Sequence, residues 1–267
     1  MSELNEKNLY KNDAQFYDLD NRKIVKVDIP FYINYTSHVK GPILELACGT
    51  GRLTVPMAKA GHEVWGLEYS ETMLKQFELK MKYLPTAVAE RIHLIHGDMS
   101  HFSLDQTFPL IILPNRSFQL LLEEPLEKEC LKSIKRHLTD DGIFIIDIGN
   151  FIPNKKAEKN WVNMEEHFDW ENIDPRTGFT IKRSHIKKEI DMVGQIIFPH
   201  KIYRIIKQNH EVDKVTKDSP WKYFFPHQIR NLLTSSGFEI LNEWGSYDQA
   251  PLTEENPEFL FICKKSL

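Results

Sequence analysis

Cysteine is scarce in this chain, with three in 267 residues: Cys48, Cys130 and Cys263. They are odd in number and widely spaced, so no disulfide framework is expected, and free thiols of a reducing compartment are. No apolar run approaches the ~20 residues that cross a bilayer, which argues against a helical membrane span. The opening stretch, Met1 to Tyr10, is polar and carries acids, unlike a secretory leader, so a cytoplasmic protein is expected. Neither sign of charge dominates: 34 Lys and Arg face 38 Asp and Glu, for a net charge of −4. The lack of a polybasic footprint argues against a nucleic-acid partner. No metal is expected either. His93, His96 and His101 lie close together, but 93 and 96 fall on opposite faces of a strand, and no cysteine or acid pair completes a tetrahedral set. A serine-hydrolase elbow, G-x-S-x-G, is missing too.

What is present concentrates between Pro42 and Ser70. An apolar strand, Ile43 to Leu46, runs into a glycine turn, Gly49-Thr50-Gly51. A helical segment ends at Gly61, and a second strand, Val64 to Leu67, stops on Glu68. Strand, glycine turn, helix, strand and terminal acid make a nucleoside-binding half-unit, in which the acid can accept both hydroxyls of a ribose. The dinucleotide fingerprint G-x-G-x-x-G needs a small residue three places after the second glycine, and that place holds Thr54. The pattern is instead Glu45-x-Ala47-x-Gly49-x-Gly51. A carboxylate near the turn repels a pyrophosphate but suits a ligand that carries a cation.

Further strands are expected at Arg91 to His96, Leu110 to Leu113 and Ile143 to Asp147, with helices after Ser70 and over Glu123 to His137. The turn Thr139-Asp140-Asp141-Gly142 leads into the apolar run of the fifth strand, which reads as buried on both faces. From Asn150 to Lys217 the alternation stops. Two or three antiparallel strands are expected there, with turns near 174–178 and 192–195. A helix from Pro226 and strands over Phe238 to Trp244 and Glu258 to Cys263 resume the pattern. The fold class is therefore α/β: a doubly wound, mostly parallel seven-stranded sheet with an inserted antiparallel β layer after the fifth strand.

Glu45 through Gly51, followed by Glu68, resembles the first motifs of the class I S-adenosylmethionine-dependent methyltransferases. The resemblance covers roughly residues 10–150 and 221–264. It implies a Rossmann-like core over 41–149 and 221–267, an N-terminal helical cap over 1–40, and an inserted layer over 150–220 that is either a substrate lid or a dimer contact. S-adenosylmethionine is the implied cofactor, with S-adenosylhomocysteine as its product. By resemblance, Glu45, Ala47, Cys48, Gly49 and Gly51 hold its methionine end and Glu68 takes the ribose. Asp98 and Met99 serve the adenine, unless they form only a surface turn, and Tyr69 packs on the ring or merely enters a helix. Pro114 closes the fourth strand beside the cofactor.

The loop Pro114 to Gln119 stands where such enzymes meet the transferable methyl. It lacks the N/D-P-P-Y/F form that grips a planar amide. Arg116 and Phe118 are candidate substrate contacts, with Phe118 equally readable as core, and Gln119 is a candidate catalytic residue. Phe16-Tyr17-Asp18 is similar to a segment of small-molecule N-methyltransferases, which makes Tyr17 a candidate for both cofactor and catalysis; the alternative is an aromatic staple. In the insert, Asp169, Trp170 and Tyr203 are candidate substrate contacts. Trp161, Phe168 and Phe179, interleaved with Glu165, Glu166 and Glu171, suggest an aromatic and acidic lid for an amine-bearing substrate. The expected acceptor is an amine of a small molecule or small peptide, possessed by a monomeric or homodimeric enzyme of natural-product type. O-methyl transfer, a non-catalytic cofactor sensor and a nicotinamide dehydrogenase are the alternatives.

Overall fold

Four consecutive buried residues, Ile43–Leu46, form strand β1, as a strand covered on both faces requires. The computed structural model describes residues 10, 12–23, 26–150, 161–253 and 255–266. The expected cap over 1–40 and insert over 150–220 therefore lie partly outside the described residues, at 1–9, 11, 24–25 and 151–160.

A short 3-10 helix, Ala14–Leu19, precedes α1, Ile29–Thr36. After β1 come α2 (Thr54–Lys59), β2 (Val64–Glu68), α3 (Glu71–Met81), α4 (Thr86–Ala89), β3 (Ile92–His96) and β4 (Phe108–Leu113). Then α5 (Glu124–His137) leads to β5 (Leu138–Gly149). Ser70 caps α3 as its residue type suggests: its Oγ accepts from the backbone N–H of Met73 at 3.3 Å. The strands β11 (Phe238–Trp244) and β12 (Glu258–Lys265) follow α6 (Pro226–Ser235) and close the sheet.

The strand order is β11-β12-β5-β4-β1-β2-β3, with β12 antiparallel to both of its neighbours. From β1 the chain adds strands first in one direction and then, at β4, in the other. The crevice outside the carboxyl ends of β1 and β4 is therefore the switch point, where open α/β sheets bind ligands. Both faces of the sheet are apolar. Phe144, Ile146 and Ile148 of β5 pack with one buried cluster, while Ile145 packs with the other.

The expected turn at Thr139–Gly142 is absorbed into β5. The pairing jumps from Phe108↔Leu138 to Leu110↔Ile143, so the extra residues bulge out of the strand without ending it.

The insert is a second sheet, and it is larger than expected. Strands β6 (Asn163–Ile173), β7 (Thr180–Asp191), β8 (Ile196–Lys207) and β9 (His210–Asp218) run antiparallel, and the short β10 (Trp221–Lys222) pairs with the start of β8. β9 leaves little mark in the sequence, because its side chains are mostly exposed and polar and lack an apolar alternation. Its signal was the two-residue turn Gln208-Asn209, both left-handed at φ 48° and 65°, which matches the twist of a hairpin. Phe16 and Leu19 pack with Trp170, Ile181, Tyr203 and Ile205, which ties the N-terminal segment to this second sheet.

Candidate functional site

The turn after β1 takes three left-handed positions in five residues: Ala47 at φ 56°, Gly49 at 60° and Gly51 at 80°. Only glycine suits the last, because a Cβ there would stand 2.2 Å from the ring of Phe77. The carboxylate of Glu68, at the end of β2, ties the turn in place. Its Oε2 accepts from the Gly49 N–H at 2.9 Å and its Oε1 from the Ser70 N–H at 2.8 Å. Burial pushes the Glu68 pKa up, and these backbone donors work against that shift.

Above this turn lies a cavity of about 420 Å³. Ala47, Gly49, Glu68, Tyr69, Asp98 and Met99 line it, joined by Tyr17. Six separate expectations thus meet Tyr17 in one place. Asp98 is held by its neighbours, its Oδ1 accepting from the backbone N–H and hydroxyl of Ser100 at 2.8 and 2.7 Å. The described lining includes the acids Glu68, Asp98 and Glu123 and not one Lys, Arg or His. Such a lining suits a cationic ligand and opposes one with phosphates.

Four expected contacts lie outside this lining, Gly51 among them. Cys48 is 3% exposed, with its sulfur packed beneath Gly66, and neither Cys48 nor Pro114 lines the cavity. Glu45 is buried as well, and its Oε2 accepts from the Thr54 hydroxyl at 2.6 Å. The residue that breaks the dinucleotide fingerprint is therefore the partner of the acid that precedes the turn. Burial pushes Glu45 up to about 8, so it is largely neutral at pH 7.

A larger cavity of about 660 Å³ lies between the core and the second sheet. Tyr10, Tyr17, Asn115 and Trp221 line both cavities and so mark where they join. Tyr17 Oη accepts from Asn115 Nδ2 at 3.0 Å. Asn115 and Arg116 are left-handed, at φ 57° and 64°, and one buried carboxylate holds them there. Asp147 Oδ2 accepts from the Asn115 N–H at 2.9 Å and Oδ1 from the Arg116 N–H at 2.7 Å, while Tyr32 Oη donates to Oδ2 at 2.9 Å. Burial raises the Asp147 pKa against these donors. Neither Asp147 nor Asn115 is among the residues that the sequence marks as candidates. The available signal was an acid ending the apolar run of β5, at the carboxyl edge of the sheet.

Within the same loop, the expectation for Gln119 is corrected and that for Phe118 is resolved toward the core. Gln119 is wholly buried, and its amide is spent on backbone: Oε1 accepts from the Gly149 N–H at 2.7 Å, and Nε2 donates to the carbonyls of Gly149 at 3.2 Å and Lys222 at 2.8 Å. It clamps the end of β5 to β10, lines neither cavity and has no free polar group for chemistry. Phe118 is wholly buried against Phe224 and is core. Arg116 does line the larger cavity, paired with Glu258 through its Nη2 and through Nε at 3.1 Å.

Asp169, Trp170 and Tyr203 also line this cavity. Adjacent residues 169 and 170 share one side because β6 bulges there, with Phe168 opposite Ser184 and Trp170 opposite Arg183. Tyr203 Oη donates to Asp13 Oδ2 at 2.9 Å. The lid is nevertheless not acidic. Glu166 pairs with Arg204, Glu171 with Lys182, and neither these acids nor Glu165 line the cavity. Strand alternation instead presents Arg183, His185 and Lys187 of β7, beside Lys201 of β8.

Residues 43–142 match a family model described as a methyltransferase domain. The putative methyltransferase YqeM of Bacillus subtilis (strain 168) is 32% identical over 110 residues, which are 41% of this chain and 42% of YqeM. The chain thus matches less than half the length of that relative. The structure of the CcbJ methyltransferase from Streptomyces caelestis superposes with a TM-score of 0.80 at 16% identity, covering 98% of this chain and 99% of that one. The glycopeptide N-methyltransferase MtfA, in complex with S-adenosyl-L-methionine, gives a TM-score of 0.58 at 24% identity over 90% and 93% of the two chains.

Proposed function

We propose that this chain, a class I S-adenosylmethionine-dependent methyltransferase by its domain and fold, transfers a methyl group to an amine of a small molecule or small peptide. The observation that carries the reading is a cavity lined by acids and free of described cations, joined at Tyr17 and Asn115 to a second, larger cavity. S-adenosylmethionine supplies an activated methyl on a sulfonium, so the protein's task is orientation and exclusion of water.

Glu68 accepts the ribose hydroxyls, Asp98 and Met99 take the adenine, and the turn Ala47 to Gly51 gives backbone room for the methionine end. Glu45 acts through the turn, by holding Thr54, and does not touch the ligand. Tyr17 and Asn115 form the rim across which donor and acceptor meet. Their hydrogen bond fixes the Tyr17 oxygen, and Asp147 fixes Asn115, so the rim is rigid before any ligand arrives. An amine acceptor must be neutral to present its lone pair, and its burial against the protein lowers its pKa toward that state. The N-methyltransferase MtfA, which shares the fold, supports an amine acceptor over a hydroxyl one.

Incubation with methyl-labelled S-adenosylmethionine and a panel of amines, phenols and carboxylates tests the reading. Label is expected on amines; transfer confined to phenols or carboxylates would overturn it. Calorimetric titration with NAD is the companion control, and NAD binding without S-adenosylmethionine binding would remove the cofactor assignment.

A further inference from the structure

The larger cavity is a place where charges have been matched on one sign only. Each acid on its described lining already has a cation. Asp13 pairs with Lys217, Asp18 with Lys80, Asp28 with Arg52, and Glu258 with Arg116. Asp20 binds Arg22 and Arg183, while Asp169 is shared among Arg22, Arg183 and His185. On the cations the account does not close. Among the described residues Lys26, Lys187 and Lys201 line the cavity, and no carboxylate stands within ion-pair distance of any of them; Lys26 lies on the N-terminal segment and the other two on the second sheet.

The placement of the two sheet lysines is not scattered. Lys201 of β8 is directly opposite His185 of β7, which brings their Cβ atoms to about 5 Å. Lys187 is two residues along β7 from His185, on the same face, and Arg183 is two residues the other way. Four nitrogen-bearing side chains of one sheet face therefore converge on one wall. Lys201 Nζ also lies 5.9 Å from the ring centre of Trp221, a residue of the junction between the cavities. Asp169 answers Arg183 and His185 on this wall, and leaves Lys187 and Lys201 without a carboxylate of their own. Burial and the neighbouring Arg183 and Lys217 hold the Lys201 ammonium well below its usual range, which is the condition an added anion relieves. Arg183 Nε, by contrast, faces Asp169 Oδ2 at 3.4 Å, so the cations without a carboxylate on this wall are the two lysines.

We infer that the wall formed by Lys187, Lys201, His185 and Arg183 is an anion subsite that anchors a carboxylate or phosphate group of the methyl acceptor. The inference rests on the methyltransferase reading and narrows it: the acceptor is an amine that carries an anionic group, held so that the amine reaches the Tyr17–Asn115 rim. This inverts the acidic lid expected from composition. Ammonium and guanidinium donors aimed at a carboxylate or phosphate make charge-assisted hydrogen bonds, which a neutral acceptor forgoes.

The test is calorimetric titration of pyrophosphate, and separately of glutarate, into the full-length protein saturated with S-adenosylhomocysteine. Wild type, Lys187→Gln, Lys201→Gln and Arg204→Gln are compared, the last lying on the opposite face of the sheet with Glu166. Wild type is expected to bind at least one anion, with both lysine variants at least about ten-fold weaker and Arg204→Gln unchanged. Preference for pyrophosphate or for glutarate distinguishes a phosphate-bearing acceptor from a carboxylate-bearing one. No binding of either anion, or equal binding by all four proteins, would overturn the subsite. Binding of S-adenosylhomocysteine in the same cell separates the two ideas: its presence without anion binding sinks the subsite alone, and its absence sinks the methyltransferase reading beneath it.

Discussion

Asn115 donates from Nδ2 to the phenolic oxygen of Tyr17 at 3.0 Å, across 98 residues of sequence and at the rim shared by two cavities. Tyr17 comes from the N-terminal 3-10 helix and Asn115 from the strained loop after β4, so the contact joins the segment that packs on the second sheet to the core. Breaking it loosens the rim without emptying either cavity.

Tyr17→Phe therefore leaves the Asn115 amide without its acceptor. Turnover is expected to fall about ten-fold, while affinity for S-adenosylhomocysteine changes by less than about three-fold. Steady-state kinetics beside calorimetry separate the two; an equal loss in both would make Tyr17 a plain cofactor contact.

Glu68→Ala removes the carboxylate that lines the smaller cavity and ties Gly49 to Ser70. Affinity for S-adenosylmethionine is expected to weaken by about 1–3 kcal/mol. Unchanged affinity in a direct titration removes Glu68 from the binding site.

Glu45 makes stability depend on pH in an unusual direction. Its folded pKa, about 8, stands above the ordinary 4.5, so the native state keeps a proton that the unfolded chain releases. The stabilisation is complete below pH 4.5 and is lost as pH rises toward 8. Glu45→Gln keeps an acceptor for the Thr54 hydroxyl and cannot ionise. It is expected to unfold like wild type at pH 5 and to be more stable at pH 8.5, by on the order of 2–4 kcal/mol. Urea melts at the two pH values check this, and identical differences at both would refute a neutral Glu45. Cofactor affinity at pH 7 should scarcely change, since Glu45 lies behind the cavity wall.

Gly51→Ala forces a Cβ toward Phe77 at a left-handed φ of 80°, whereas Gly49→Ala meets only Met73 Cε at 3.4 Å. The first is expected to cost about 2–4 kcal/mol of stability and the second roughly half that. The reverse ranking in equilibrium unfolding would mean that the turn is less tightly packed than its geometry implies.

The expectations that held closely share one trait: they concern residues within a few positions of one another. Ile43 to Leu46, the glycine turn and Glu68 declare themselves because a buried parallel strand, a left-handed turn and a strand-end acid each leave a local mark. The same holds for the Ser70 cap and for the turn near 192–195, which separates β7 from β8. β9 leaves little such mark for the converse reason, since a two-sided, solvent-exposed strand has no apolar period to read. Gln119 and Phe118 show a second boundary. Their place in the loop was right, yet nothing local says that Gln119 faces the backbone of Gly149 and Lys222, or that Phe118 turns inward to Phe224.

Sequence alone determined the first half-unit of this protein: an α/β sheet with its crevice after β1, and an acid at the end of β2. Those features are encoded in backbone chemistry over short spans, where glycine, apolar period and strand length suffice. The wall of the larger cavity was decided only by tertiary structure. Which side of β7 and β8 faces the core depends on strand register, and a shift of one residue would turn Lys187 and Lys201 outward. Composition counts both faces of a strand equally, but only the folded sheet chooses between them.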